Sequence, residues 1–312
     1  MKRILPPVIL GLLAILPLLG LSSYWMHIFI LVVMWSVIGM AWNLLGGYCG
    51  QVSFGHAAFF GVGAYTSGIL YTKAGLSGWW GLPLSIVAVT VSAIVIGFIC
   101  LRLRGPFFAL GTLAMGVILR VTAENLRGFT EGDLGIMIRE RTWTEKTWYF
   151  YIILGIAGLT YFIVRKVIES KLGYYFVAIR EDQDAAESLG INTTLYKNIA
   201  LCLSAVITGV AGAFYTNYMG YIDPKVVFAL HDISIVTIMV VMVGGVATFW
   251  GPTVGAMIMV LLAELIRSIP KLGAAHHTFF GILLIVIIIF LPNGITGDIQ
   301  KLKKLFRIGK AA

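Results

Sequence analysis

The chain has 312 residues, 59% hydrophobic and only 12% charged, about half the roughly 25% charge of a soluble globular domain. With mean hydropathy +0.93, too little polar surface remains to coat the apolar groups. That argues against a water-soluble fold, soluble catalysis, nucleic-acid reading and disorder. Lys and Arg number 23 against 14 Asp and Glu, a net charge of +9, which in a bilayer protein marks cations retained on the cytoplasmic side.

A helix needs about 20 residues to cross the hydrocarbon core. Apolar runs predict ten spans, at 4–21, 26–45, 54–72, 80–101, 106–124, 147–166, 197–219, 230–246, 250–267 and 278–293. The fold class is therefore all-α, a polytopic transmembrane bundle forming one domain over residues 1–312. The first run follows Met1-Lys2-Arg3 and resembles a signal peptide, but no A-x-A-like cleavage site ends it, and Pro6, Pro7 and Pro17 suit a kinked span. Ten crossings with the N-terminus inside place Lys2, Arg3, Arg102, Arg104, Arg165, Lys166, Lys171, Arg180, Lys197 and the tail cations in the cytoplasm. Both termini are expected there. The Gly-rich interruptions in 54–72 and 230–267 fit re-entrant or broken helices equally well, which gives eight full crossings.

The external loop 125–146 carries charges of both signs with Trp143 and Trp148, the composition of a small amphipathic cap. The Lys-rich tail after Pro292 reads as an orientation signal and a contact for anionic lipid headgroups. Small residues recur four apart at Ser53, Ala57 and Gly61, at Ala64 and Gly68, at Ser204, Thr208 and Gly212, and at Gly251 and Gly255. Such stripes let helices approach closely, either between spans of this chain or at a subunit interface.

Few ionisable groups fall at membrane depth: His56, Arg120, Asp232 and Glu264, with Glu124 near a span end. Span-end positions are the plainer reading for each, as interfacial positions are for His27, His231, His276 and His277. No chain of carboxylates threads the bilayer, which counts against a proton-coupled or sodium-coupled carrier. GxGxxG, GxxxxGK[ST], HExxH and GxSxG are all missing, so neither a phosphate loop nor a hydrolase site is encoded. Cys49, Cys100 and Cys202 stand isolated and read as packing residues, not metal or redox groups.

The internal loop 167–196 stands apart. Its run Ala178-Ile179-Arg180-Glu181-Asp182-Gln183-Asp184-Ala185-Ala186-Glu187-Ser188-Leu189-Gly190-Ile191 concentrates acids in a chain short of charge. It predicts one short helix with Glu181, Asp182 and Asp184 in its first turn and Gly190 as a left-handed C-cap. Ala185 and Ala186 would let a partner approach, and Leu189 and Ile191 offer an apolar edge. The plainer alternative is a solvated acidic loop.

This run resembles the coupling segment of ABC-importer permeases, the part that contacts the ATPase subunit. Three further stretches extend the resemblance: Asn43-Leu44-Leu45-Gly46-Gly47-Tyr48-Cys49-Gly50-Gln51-Val52-Ser53-Phe54-Gly55-His56 continuing to Tyr65, then Arg104-Gly105-Pro106-Phe107-Phe108-Ala109-Leu110, then Gly244-Gly245-Val246-Ala247-Thr248-Phe249-Trp250-Gly251-Pro252. Together, over about residues 35–297, the chain resembles the LivM-type permeases of branched-chain amino acid ABC importers. Ala247 stands where that family often has Gly, and the run Arg127 to Asp133 departs from the family's Gly-rich sequence.

The resemblance implies the ABC importer permease fold, in the inner membrane, with no enzymatic activity of its own. A LivH-type second permease, two cytoplasmic ATPase subunits and an extracytoplasmic amino-acid-binding protein are the implied partners. No cofactor would sit on this chain, since ATP and Mg would be bound by the ATPases. Arg180, Glu181, Asp184, Ala185, Ala186, Glu187 and Gly190 are the expected coupling residues. Gln51, Ser53, His56, Tyr65 and Thr112 interrupt apolar, Gly-rich segments and are candidates for the translocation pathway, with structural hydrogen bonding between spans as the competing role. A permease for urea or short amides, or a carrier acting alone, are the alternatives.

Overall fold

Apolar runs of bilayer length become helices in the computed structural model, which describes residues 22–138, 143–268, 276–291 and 293–298, with Pro17 and Gly20. All but Pro17 and Gly20 of the expected span 4–21, and the tail beyond Asp298, lie outside the described residues. The main helices are α1 (Ser23–Trp42), α2 (His56–Ala74), α3 (Gly81–Cys100), α4 (Pro106–Asn125) and α5 (Lys146–Ile168). They are followed by α6 (Lys171–Glu181), α7 (Gln183–Ser188), α8 (Thr193–Met219), α9 (Val236–Gly244), α10 (Gly251–Arg267) and α11 (His276–Phe290). π-helical turns at Asn43–Tyr48 and Leu230–Ile235 extend α1 and precede α9.

Among the described residues, six segments are long and apolar enough to cross a membrane: Ser23–Tyr48, Gly78–Cys100, Pro106–Asn125, Lys146–Ile168, Thr193–Met219 and Pro224–Gly244. The expected count of ten exceeds this. The runs at 250–267 and 278–293 do form helices, but of 17 and 15 residues, and α2 carries His56, Thr66, Ser67, Thr72 and Lys73 along its length.

The core sits on α1, α2 and α8, whose inward residues are almost fully buried. Glycine makes this possible. A Cβ on Gly63 would lie 1.9 Å from the Gly209 carbonyl oxygen, and one on Gly212 would lie 2.1 Å from that of Phe60, so α2 and α8 meet backbone to backbone. Thr216 donates to the Ala64 carbonyl at 3.0 Å and Asn217 to Ser67 Oγ at 2.9 Å. The stripe through Ser204, Thr208 and Gly212 thus packs within the chain. The Gly251–Gly255 stripe does the same: a Cβ on Gly255 would lie 1.8 Å from Val240 O, and one on Gly244 1.8 Å from Gly251 O, closing α9 and α10 into a hairpin.

The peripheral helices turn apolar side chains outward, with Phe98 on α3, Phe107 and Leu110 on α4, and Leu159 and Phe162 on α5 exposed. Hydrocarbon tolerates such faces and water does not. Residue pairs along the helices define two ends. His27 meets Tyr218 and Tyr24 meets Glu264 at one end, whereas Ala41 meets Ser204 and Gly39 meets Pro252 toward the other.

The loop 125–146 differs from a purely helical expectation, because Ile136–Met137 pairs antiparallel with Tyr221–Ile222. Lys73–Glu131 at 2.7 Å and Lys225–Asp133 at 3.3 Å fasten this cap, and Trp143 packs with Trp79, Trp148 and Tyr149.

Candidate functional site

The acid-rich segment folds as two helices rather than one. Asp182 is extended, with φ −158° and ψ 114°, and its carboxylate accepts from the Ala185 amide at 2.9 Å, which ends α6 and caps α7. Glu181 therefore closes α6 instead of opening a helix, and only Asp184 lies in the first turn of α7. The C-cap expectation holds. Gly190 is left-handed at φ +83°, its amide donates to the Glu187 carbonyl and the Ile191 amide to that of Ala186, at 2.9 and 3.1 Å, the paired bonds of a Schellman motif.

The two alanines face opposite ways. Ala186 is buried in this chain's own core, so it is unavailable to a partner, while Ala185 and Leu189 are exposed, Leu189 at 82%. Charge ties α7 to the preceding motif: Arg104 reaches Asp184 at 2.8 Å and Glu187 at 3.7 Å. Thr193 and Gln183 donate to Glu187, and these bonds, ahead of the Arg104 and Lys197 charges, hold its carboxyl below the usual range. Lys197, expected as a cytoplasmic cation, is buried and donates to Gln183 Oε1 at 3.1 Å.

Arg180 links this segment to the Gly-rich loop. Its Nη2 pairs with Glu181 at 2.6 Å and its Nη1 donates to the Gly47 carbonyl at 3.3 Å. Gly50, at φ +71°, lies beneath the Arg180 side chain. The same loop continues through Asn43, which accepts from the Ala247 amide at 2.8 Å and donates to the Thr248 carbonyl at 2.9 Å. Thr248 in turn meets Thr296 at 2.8 Å. The three motifs singled out in the sequence thus gather at one end of the bundle, around the acid-rich pair.

Four of the five pathway candidates lie in or beside that loop. Gln51 Nε2 donates to the Cys49 carbonyl at 3.4 Å. Ser53 accepts from Trp42 Nε1 through its carbonyl at 2.8 Å and from the Gly55 amide through Oγ at 3.1 Å. His56 is fully buried with Nε2 2.8 Å from Ser204 Oγ. Thr112 donates to the Ala109 carbonyl and accepts from the Phe54 amide, at 2.9 and 3.1 Å. Tyr65 stands apart, stacked on Phe228 with ring centroids 5.7 Å apart.

A cavity of about 290 Å³ opens elsewhere, between α1, α8, α9 and α10, and none of the five candidates lines it. Asp232 and Glu264, expected only as span-end groups, do line it, together with His27, expected as an interfacial residue, and Arg267, which nothing in the sequence singles out. Among the described residues, no cluster of His, Cys, Asp or Glu has the makings of a metal site.

The fold is a bundle of apolar helices, six of its segments long enough to cross a membrane, with a charged helix pair bound to loops at one end and a cavity toward the other, an arrangement that fits a membrane permease. The chain belongs to the family described as the permease component of branched-chain amino acid transport systems, whose model matches residues 24–290. It is similar to the high-affinity branched-chain amino acid transport permease LivM of Salmonella typhimurium, 27% identical over 84% of this chain and 68% of that protein. LivM of Escherichia coli is 26% identical over 85% and 68%. LivH of Escherichia coli is 21% identical over 84% and 91%. The LivM-type resemblance is borne out by these matches.

Proposed function

We propose that the chain is one of two permease subunits in an ATP-driven importer of leucine, isoleucine and valine, paired with a LivH-type subunit in the inner membrane. Two cytoplasmic ATPases would bind ATP and Mg, and an extracytoplasmic binding protein would deliver the substrate. This chain carries no cofactor and performs no covalent chemistry. Both termini lie in the cytoplasm, an orientation supported by the excess of Lys and Arg on the side of Arg102, Arg104, Arg165 and Lys171.

The observation that carries the reading is the attachment of α6 and α7 to the Gly-rich loops through Arg180 and Gly47. In this account Arg180, Glu181, Asp184, Ala185, Glu187 and Gly190 present α7 to an ATPase, with Ala186 anchoring it from beneath. A displacement of α7 passes to Gly47, then through Asn43 to the α9–α10 hairpin. Gln51, Ser53, His56 and Thr112 hold the loop that moves, and Tyr65 lies further along α2 toward the external cap. Alternating access then needs only that ATP binding favours one arrangement of these elements over the other.

The test is ATP-dependent leucine uptake by the full complex in proteoliposomes. Uptake requiring ATP and the partner subunits is expected, together with impaired ATPase assembly or substrate-stimulated hydrolysis, but normal membrane insertion, when Gly190→Val and Glu181→Lys are combined. Uptake by this chain alone, or full transport by the double variant, contradicts the proposal.

A further inference from the structure

The 290 Å³ cavity has a polar rim and an apolar floor, and the two are separated along the helices. At the rim stand His27, Asp232, Glu264 and Arg267; at the floor stand Trp35, Val240, Met259 and Val260. His27 and Trp35 are eight residues apart on α1, about 12 Å at the helical rise. The rim lies at the end of the bundle where Tyr24 meets Glu264, opposite the end where Arg180 meets Gly47. The polar rim therefore faces away from the acid-rich helices, and the apolar lining lies deeper along the same helices.

Its charges are of both signs and are close to one another. Arg267 approaches Glu264 at 3.4 Å and Tyr24 donates to the same carboxylate at 3.3 Å. Both contacts are at the long end of hydrogen-bond range, so a ligand with its own ammonium and carboxylate can replace them with shorter, charge-assisted bonds. Its size, near the lower limit of small-molecule pockets at about 300 Å³, suits a solute of few heavy atoms. Charge pairing at the mouth and aliphatic walls below match one chemical class.

We propose that this cavity is a binding site within the permease for a zwitterionic α-amino acid with an aliphatic side chain. Glu264, with Asp232, receives the ammonium, Arg267 receives the carboxylate, and the side chain enters the space bounded by Val240, Met259 and Val260. The inference rests on the proposed import function and adds to it a site on this chain, distinct from the loop residues Gln51, Ser53, His56 and Thr112.

The test uses the full complex without its binding protein, in nanodiscs, with saturation-transfer NMR to leucine, 3-methylbutylamine and 4-methylpentanoate. Leucine is expected to receive saturation at its methyl protons, and the two analogues, each lacking one charge, to bind about tenfold more weakly, the cost of one charge-assisted bond. Arg267→Met weakens leucine about tenfold and leaves 3-methylbutylamine unaffected. Val260→Phe, which fills the floor, abolishes the leucine signal, and Met259→Ala shifts preference toward phenylalanine. That shift distinguishes a lining role from a structural one.

Equal binding of all three compounds, or leucine binding unchanged by Val260→Phe and Arg267→Met, overturns the site. Absence of any leucine signal in the wild type overturns it also, and leaves the cavity to lipid or a neighbouring subunit. Leucine uptake by the same wild type and variants, reconstituted in proteoliposomes with ATP and the binding protein, separates the two claims. Uptake that persists in wild type and variants alike discards the cavity and leaves the import function standing, whereas no uptake by wild type discards the import function.

Discussion

Arg180 donates from Nη1 to the carbonyl of Gly47 at 3.3 Å, across 133 positions of sequence, and its side chain covers Gly50 so closely that a Cβ there would lie 2.8 Å from Arg180 Cγ. Arg180→Ala removes a cationic hydrogen bond of about 1.5 kcal/mol. The expected result is leucine-stimulated ATP hydrolysis reduced about tenfold, with unchanged yield of inserted protein. Arg180→Lys rescues this only in part, because a point charge does not reproduce a guanidinium fork. Normal stimulated hydrolysis in both variants would remove Arg180 from the linkage.

Ala247 is held at φ +55°, in the left-handed region that costs a Cβ-bearing residue about 1 kcal/mol. Ala247→Gly is therefore expected to stabilise the purified protein by about that amount, read as a rise in thermal melting temperature in detergent. Ala247→Val should lower it. A fall on substitution by glycine would show that the loop is not strained there.

Asn43 serves two loop groups with one side chain, accepting from the Ala247 amide and donating to the Thr248 carbonyl. Asn43→Ala leaves both without their partner at a half-buried position, a loss of about 2 kcal/mol. Faster hydrogen exchange over residues 244–251, with α3 unaffected, is the expected readout. Uniform change across the bundle would point to general unfolding.

Glu187 titrates below its ordinary value of 4.5, first because Thr193 and Gln183 donate to it. A carboxylate depressed in the fold contributes stability that is complete above its unfolded pKa and disappears as pH falls through the lower, folded one. Exchange protection of the α7 amides should thus be constant near neutral pH and collapse only in acid, below about 4.5. Glu187→Gln should flatten this dependence. An identical acid profile in both proteins would assign the collapse to another group.

The membrane-length helices are legible because each contains an apolar run of about 20 residues, and the gathering of the three motifs at the acid-rich segment agrees with the resemblance that they carry. Asp before Gln183-Asp184 is a favoured N-cap, yet the continuous acidity across 181–187 hides the break at Asp182 in the sequence. Spacing alone does not say which face of a six-residue helix is covered, so it does not reveal that Ala186 is buried against its own chain. The cavity was out of reach for a different reason. His27, Asp232 and Glu264 come from α1, a π-helical turn and α10, and their convergence depends on how those elements pack, which helical periodicity does not encode.

Photo-crosslinking in the assembled complex decides whether α7 is the surface met by the ATPase. A photoreactive amino acid replaces Leu189, exposed on α7, or Met137, exposed on the cap at the other end. Crosslinks to the ATPase from position 189 and none from position 137 are predicted. ATPase adducts from position 137, with none from 189, would place the ATPase on the cap and not on α7.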